Sequence, residues 1–82
     1  MDYAKAVREF VISNFLYGDN SALTDDTSFL ESGIIDSTGM LELIGFVENT
    51  FQLRIRPEEL VAENLDSVTR VANFLARKLV PA

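Results

Sequence analysis

At its centre the chain reads Gly33-Ile34-Ile35-Asp36-Ser37-Thr38-Gly39-Met40-Leu41-Glu42-Leu43-Ile44 and continues to Phe51. A turn-forming glycine and two aliphatic residues lead to Asp36 and Ser37, and from Met40 onward the apolar residues recur at helical spacing. The pattern predicts a helix over about 37–51 that presents the Ser37 hydroxyl at its N-terminus. The positions expected to face the core are Met40, Leu43, Ile44, Val47 and Phe51.

The Ser37 hydroxyl has two interpretations. The first turn of a helix has unpaired N–H groups and partial positive charge, which favour a phosphate joined to the Ser37 oxygen. This field contributes only about 0.3–1 kcal/mol, whereas millimolar binding of a free ligand needs roughly 4 kcal/mol. Because no Lys or Arg lies between Arg8 and Arg54, a phosphate here is expected to be covalently bound. The alternative, which spacing alone favours, is an ordinary N-cap serine.

The segment 29–43, from Phe29-Leu30-Glu31-Ser32 to Leu43, resembles the prosthetic-group site of the acyl carrier protein and peptidyl (aminoacyl) carrier protein superfamily. The similarity extends over nearly the whole chain. It implies that Ser37 carries phosphopantetheine, whose thiol holds an acyl or aminoacyl group as a thioester. It also implies that Asp36 assists the activating transferase, near a magnesium ion.

The resemblance also indicates partners. They are a phosphopantetheinyl transferase, an acyl- or aminoacyl-activating ligase and a downstream acyl-transferring enzyme. Thr38 stands where these proteins more often have Leu, and the Asp-Ser-x-Gly form is closest in style to discrete stand-alone carriers, including those for D-alanine and other amino acids. The sequence therefore leaves the carried group and the identity of the partner enzymes open.

A second arc of the predicted helix begins beside Ser37, and we call it the recognition face. Its members are Thr38, Leu41, Glu42, Gly45, Glu48 and Asn49. An exposed leucine flanked by glutamates predicts a docking surface, and the resemblance implies the same because carriers use this helix for recognition. The alternative is that Leu41 packs against the preceding loop and Gly45 marks a close helix contact.

Composition limits the chemistry of the chain. Its 82 residues include no Cys, His or Trp, which excludes disulfides, His or Cys metal sites, and Ser-His or Cys-His dyads. Carboxylates are nearly the whole catalytic repertoire, so composition predicts that the chain by itself catalyses nothing, and no metal site is expected. The resemblance implies a carrier that serves partner enzymes as a tethered substrate. Two alternatives stay open: a non-catalytic helical adaptor with Ser37 only as an N-cap, and a small enzyme acting through Asp36 and Glu42.

The charge distribution indicates the kind of partner. The formal net charge is −6, and the segment from Glu9 to Leu53, both included, has eight acids and no base. Such a field steers basic partner surfaces toward Ser37 and argues against nucleic acid; the alternative is a solvated face that only confers solubility. Without an apolar run long enough for a membrane span or the layout of a signal peptide, a cytoplasmic protein is expected. The chain is also predicted to be a monomer.

The remaining segments predict an all-α fold in one domain, residues 1–82. The first helix is expected over about 2–17, with an apolar stripe of Tyr3, Val7, Phe10, Val11 and Phe15, and Gly18 is expected to end it. A long loop over 18–36 follows. The residues expected to fasten this loop to the bundle are Leu23, Phe29, Leu30 and Ile34.

Two further helices complete the predicted four-helix bundle of three longer helices and one short one. A short third helix is expected over about 57–62, with Pro57 in its first turn and Arg56 as a weak cap. A fourth is expected over about 66–79, capped by Asp66, with an apolar stripe of Val68, Val71, Ala72, Leu75 and Leu79. The expected core is Phe10, Phe29, Ile44, Val47, Phe51, Leu60, Val71 and Leu75.

Overall fold

The computed structural model describes residues 2–19, 21 and 23–79; the predicted domain 1–82 also includes Met1, Asn20, Ala22 and 80–82, which lie outside the described residues. The described residues form helices and no strands, which confirms the prediction of an all-α fold. The helices are α1 (Tyr3–Phe15), α2 (Phe29–Ser32), α3 (Ser37–Phe51), α4 (Ala62–Leu65) and α5 (Val68–Lys78), with a 3₁₀ turn at Pro57–Glu59. In this part of the chain no helix has the length and apolarity needed to cross a membrane.

Helix α1 is shorter at both ends than the predicted range of about 2–17. Asp2 is its N-cap, and the side chain accepts a 3.0 Å hydrogen bond from the backbone N–H of Lys5. At the other end Tyr17 and Gly18 have left-handed φ angles of 52° and 89°, and the Gly18 N–H donates to the Ile12 carbonyl at 3.0 Å. Gly18 thus ends the helix as predicted, because glycine takes this conformation at low cost.

The segment 18–36, predicted as a loop, contains helix α2. Ser28 caps α2 by accepting a 3.1 Å hydrogen bond from Glu31 N–H, and Gly33 ends it with a φ of 79°. Of the residues expected to fasten this segment, Phe29 is fully buried and Leu23 and Ile34 pack against the core. Leu30 was expected to join them, but it is 48% exposed.

Asp66 has a different role from the predicted cap of the last helix. Ser67 caps α5, accepting a 3.1 Å hydrogen bond from Arg70 N–H. The Asp66 carboxylate instead accepts from Ser28 Oγ at 2.5 Å and from Leu30 N–H at 3.0 Å, while its carbonyl accepts from Phe29 N–H. The prediction was wrong because Asp66 joins α2 to the start of α5, and this pairing spans 38 positions of sequence.

The predicted third helix over about 57–62 is also wrong. The 3₁₀ turn Pro57–Glu59 has proline in its first turn as expected, and the chain is extended at Val61 before α4 begins. The turn is held by the Glu59 carboxylate, which accepts from Arg56 N–H at 2.8 Å and from Lys78 Nζ at 2.9 Å. Leu60 therefore faces outward and is 46% exposed, contrary to its expected place in the core.

The core lies where α1 packs against α3 and α5. The buried hydrophobic residues are Val7, Val11, Phe29, Ile35, Leu43, Val47, Phe51, Ile55, Leu65, Val68, Val71, Phe74 and Leu75. Phe10 and Ile44, also expected there, are partly buried around this cluster, and Phe10 stacks on Phe46 with ring centroids 4.2 Å apart. Phe74 was missed because it lies beside the predicted stripe of α5.

Candidate functional site

The first turn of α3 is capped by Asp36 and not by Ser37. Asp36 Oδ1 accepts a 2.7 Å hydrogen bond from Gly39 N–H, and its carbonyl accepts from Met40 N–H at 2.9 Å. Ser37 is the first helical residue and is exposed. Within the described chain its hydroxyl makes no hydrogen bond, so the interpretation of Ser37 as an ordinary N-cap is wrong.

The surroundings of Ser37 suit a phosphate ester. Helix α3 is 15 residues long, so its N-terminus carries the partial positive charge of the aligned peptide dipoles. The N–H groups of Gly39 and Met40 are satisfied by Asp36. Those of Ser37 and Thr38 have no acceptor among the described residues, and they remain free to hydrogen bond to an anion on the neighbouring oxygen.

Gly39 fixes how closely α1 approaches this turn. A Cβ placed on Gly39 would lie 2.8 Å from Phe15 Cε1, 3.1 Å from Ile35 Cγ2 and 3.3 Å from the Asp36 carboxylate. Only the absence of a side chain lets the Phe15 ring and the capping carboxylate share this space. The end of α1 and the start of α3 are therefore packed into one unit beneath Ser37.

The recognition face is solvent-accessible at its centre. Leu41 is 68% exposed, and a Cβ on Gly45 would meet no atom within 4 Å. The alternative, with Leu41 packed on the loop and Gly45 at a close helix contact, is thus wrong. Thr38, Glu42 and Asn49 are exposed as well.

Glu48 differs from the rest of the recognition face. It is partly buried, and its carboxylate accepts a 2.9 Å hydrogen bond from Ile55 N–H. Glu48 therefore holds the chain that leaves α3. That the residues of the recognition face contact a partner stays a prediction.

Two hollows lie on opposite sides of α3. One, of about 400 Å³, is lined by residues that include Phe15, Tyr17, Ile34, Asp36, Thr38 and Glu42. The other, of about 130 Å³, is lined mainly by Leu30, Met40, Ile44, Leu60, Val61 and Leu65. At 3.6 residues per turn, Ser37 and Leu41 lie on the exposed ridge between them. Among the described residues, no cluster of acids has the arrangement needed to hold a metal ion.

The sequence pattern of the family described as "Phosphopantetheine attachment site" matches residues 7–75. The chain belongs to this family. It is a member of the acyl and peptidyl carrier protein superfamily, whose members hold phosphopantetheine covalently on a serine, as the resemblance implied. The exposed hydroxyl and free N–H groups at the start of α3 fit that group.

A solved structure resembles this carrier in fold and in length. It is a chain described as "Crystal structure of FAD-dependent dehydrogenase", which superposes with a TM-score of 0.74 and is 26% identical in sequence. The alignment covers 84% of the carrier and 97% of that chain. No curated protein sequence matched the carrier.

Sequence reasoning missed two exposed apolar features of the carrier. Tyr17 is 93% exposed, and Val61 is 45% exposed beside Leu60. Tyr17 follows the last turn of α1, where the helical period placed no constraint on it. Val61 lies in the interruption between the 3₁₀ turn and α4, which no local pattern predicts.

Proposed function

We propose that phosphopantetheine is attached to Ser37 and that the carrier holds an acyl or aminoacyl group on its thiol as a thioester. A separate ligase loads this group, and a downstream enzyme receives it. The observation that carries the proposal is the division of roles at the start of α3. Asp36 caps the helix, which leaves the Ser37 oxygen exposed and free to be modified.

The attachment reaction uses coenzyme A as donor and a phosphopantetheinyl transferase as catalyst. The Ser37 Oγ–H bond and the pyrophosphate P–O bond of coenzyme A break, and a bond from Ser37 Oγ to phosphorus forms. The proton and a nucleoside bisphosphate leave. No electrons are gained or lost, so no redox partner is needed.

Asp36 is suited to assist this step. Only Oδ1 of its carboxylate bonds to Gly39 N–H; within the described chain Oδ2 has no hydrogen-bond partner. Asp36 is exposed, so Oδ2 is available to the transferase on the residue that precedes Ser37. The carboxylate is thereby held in place by one oxygen and presents the other.

The carrier itself acts as a tether and as a substrate of its partners. Attachment keeps the loaded group at a high effective concentration near each enzyme on which the carrier docks. Leu41 supplies an apolar centre for docking, and Glu42 supplies a charge that fixes how the partner aligns on α3. The absence of His and Cys from the sequence disfavours catalysis by Asp36 and Glu42. Cytoplasmic location and a monomeric state stay predictions.

The similar solved structure suggests one class of downstream enzyme. Because that chain comes from a "Crystal structure of FAD-dependent dehydrogenase", the match favours a flavin-dependent dehydrogenase that acts on the loaded group. This candidate stands beside the acyl-transferring enzyme implied by the resemblance. Incubating the loaded carrier with each enzyme distinguishes them, because oxidation lowers the mass of the loaded carrier by two hydrogens, whereas transfer removes the whole group.

Intact-mass measurement of the carrier recovered from its own cells, with the thioester preserved, tests the proposed function. The proposal predicts a species that carries phosphopantetheine and a further group that hydroxylamine releases. The Ser37→Ala variant, expressed in the same way, is expected to carry neither. A wild-type protein of unmodified mass in cells that modify other carriers would favour the adaptor alternative.

A further inference from the structure

Tyr17 is exposed in an unusual way for a large aromatic residue. The residue is 93% exposed, and its φ of 52° lies in the left-handed region, which disfavours residues with a Cβ. The backbone that follows Tyr17 is held by two hydrogen bonds: the Gly18 N–H donates to Ile12 O at 3.0 Å, and the Asp19 N–H donates to Leu16 O at 2.9 Å. The fold therefore keeps an aromatic ring in solvent at a place where glycine fits better.

The ring borders the larger of the two hollows, which we call the Tyr17 groove. Phe15 and Ile34 contribute apolar surface to this hollow of about 400 Å³, and Asp36 and Glu42 contribute carboxylates. From residue 9 to residue 53 the chain has no Lys or Arg, so no base of this segment neutralises those carboxylates. An aromatic ring beside uncompensated carboxylates is complementary to a guanidinium or ammonium group that packs against apolar surface.

The occupant follows from the position of the groove. Asp36 and Thr38, the neighbours of Ser37 on both sides, line it. An enzyme that acts on the Ser37 oxygen must bring its reacting atoms to within about 3–3.5 Å of that oxygen, so its surface has to cover these neighbours. Enzymes that act on the thiol, at the far end of the attached arm, have no such requirement.

We propose that the Tyr17 groove docks the phosphopantetheinyl transferase through a basic side chain of that enzyme, which lies against the Tyr17 ring and pairs with Glu42. This inference rests on the proposed function, because it assumes that Ser37 is the modified residue. It adds a contact at Tyr17, just after the end of α1, to the recognition face of α3. Tyr17 thereby serves binding of the transferase, and the chemistry of attachment takes place at Ser37.

Steady-state kinetics of modification test the groove, with coenzyme A and a purified phosphopantetheinyl transferase as the probe. Tyr17→Gly removes the ring and relieves the left-handed backbone, so it separates docking from folding. It is expected to lower kcat/KM roughly threefold to tenfold by raising KM, which is the effect expected from losing the contact of a cation with an aromatic ring. Thermal stability is expected to stay the same or to rise. Tyr17→Phe keeps the ring and is expected to restore most of the rate.

A pair of charge variants completes the experiment. Glu42→Gln is expected to raise KM and to weaken the dependence of kcat/KM on salt. Glu63→Gln removes the same charge from an exposed position on α4 and is expected to leave both quantities unchanged. Equal effects of the two variants would show that only net charge matters, and would overturn the proposal that the Tyr17 groove docks the transferase.

The outcomes distinguish this inference from the proposed function. If wild-type protein and Tyr17→Gly are both modified on Ser37 with equal kcat/KM, the groove is not a docking site, although the carrier function stands. If Tyr17→Gly lowers kcat with KM unchanged, the ring does not act in docking and the inference is overturned. If the wild-type protein is never modified on Ser37, the proposed function is wrong, and the proposal that the Tyr17 groove docks the transferase is wrong with it.

Discussion

At the scale of single residues, the site depends on two neighbours with separate roles. Asp36 stabilises the start of α3 by accepting from Gly39 N–H at 2.7 Å. Ser37 makes no comparable bond in the described chain and is exposed. A serine that capped the helix would have its oxygen occupied, so the shift of the cap by one residue is what leaves the hydroxyl free.

This division predicts different stabilities for two alanine variants. Asp36→Ala is expected to lower the free energy of unfolding by about 1 kcal/mol, the usual cost of losing an N-cap, and to lower Tm by about 4–8 °C. Ser37→Ala is expected to change Tm little, because alanine is accepted within a helix. Thermal unfolding followed by circular dichroism measures both.

Asp36→Asn is the matched control, since asparagine caps a helix as well as aspartate. It is expected to keep the wild-type Tm while losing the carboxylate charge that we propose assists modification. A slower modification rate in Asp36→Asn thus reports on charge and not on folding. If Ser37→Ala destabilises the protein as much as Asp36→Ala, the assignment of the cap is incorrect.

At the scale of helices, Gly39 couples α1 to α3. A Cβ at this position would lie 2.8 Å from the Phe15 ring and 3.1 Å from Ile35. Ile35 is 1% exposed and cannot move outward freely. The glycine therefore determines the spacing of the two helices next to Ser37.

Gly39→Ala and Gly45→Ala are expected to change stability in opposite directions. At Gly39, overpacking costs about 1–3 kcal/mol and exceeds the gain of up to about 1 kcal/mol in helix propensity. At Gly45 the added methyl group meets no atom within 4 Å, so only the gain of about 0.5–1 kcal/mol applies. Urea unfolding of both variants measures these changes, and a Gly39→Ala protein as stable as Gly45→Ala would contradict the packing described here.

Helices with a sustained apolar period were predictable from the sequence. The range expected for α3 agrees with the observed one, and those for α1 and α5 differ from it by one or two residues at each end. The agreement is close because each of these helices buries a continuous apolar stripe. Helices α2 and α4 have four residues each, which is too short for a period to show. They depend on contacts that are distant in sequence, such as the Asp66 carboxylate with Ser28.

The start of α3, where the candidate site lies, was predictable from the sequence, but the residue that caps the helix was not. The Asp-Ser motif and the following helix located Ser37, but Asp36 and Ser37 are both good N-cap residues and their order of use is not evident locally. Tyr17 could not be placed, because its exposure depends on how α1 ends. Asp66 was misplaced for the same kind of reason, since it and Ser67 are equally suitable caps.

At the scale of the whole molecule, the segment between α1 and α3 is hydrogen-bonded to both α1 and α5. Arg8 of α1 donates to the Asp25 carboxylate through Nε at 2.9 Å and through Nη2 at 3.0 Å. The Asp25 carbonyl accepts from Thr69 N–H of α5 at 2.9 Å. Asp25 thus connects this segment to two helices of the core.

These pairs make stability depend on pH. The hydrogen bond from Arg8 lowers the pKa of Asp25, and hydrogen bonds from Arg56 N–H and Lys78 lower the pKa of Glu59. The unfolded chain has pKa values of about 3.9 and 4.3 for these groups. Their stabilisation is therefore fully present above about pH 5 and is lost as pH falls through the lower folded-state values.

Unfolding free energies measured in urea from pH 7 to pH 3 are expected to fall below about pH 5. Asp25→Asn is expected to be less stable than wild type at pH 7 and to converge with it at the acid end, because protonation removes the same interaction. Asp26→Asn is the matched control: Asp26 is exposed and makes no ion pair within the described chain, so its pH profile should follow that of wild type. Parallel profiles for Asp25→Asn and wild type would contradict the role given to the Arg8 pair.

The central claim is that the Ser37 oxygen is the point of attachment. The direct test incubates wild-type and Ser37→Ala protein with coenzyme A and a phosphopantetheinyl transferase, followed by intact-mass measurement and peptide mapping. We predict that wild type gains the mass of one phosphopantetheine group, located on Ser37, and that folded Ser37→Ala gains none. An unmodified wild-type protein beside a control carrier that is modified in the same tube, or a label located on another residue such as Thr38, would contradict the account.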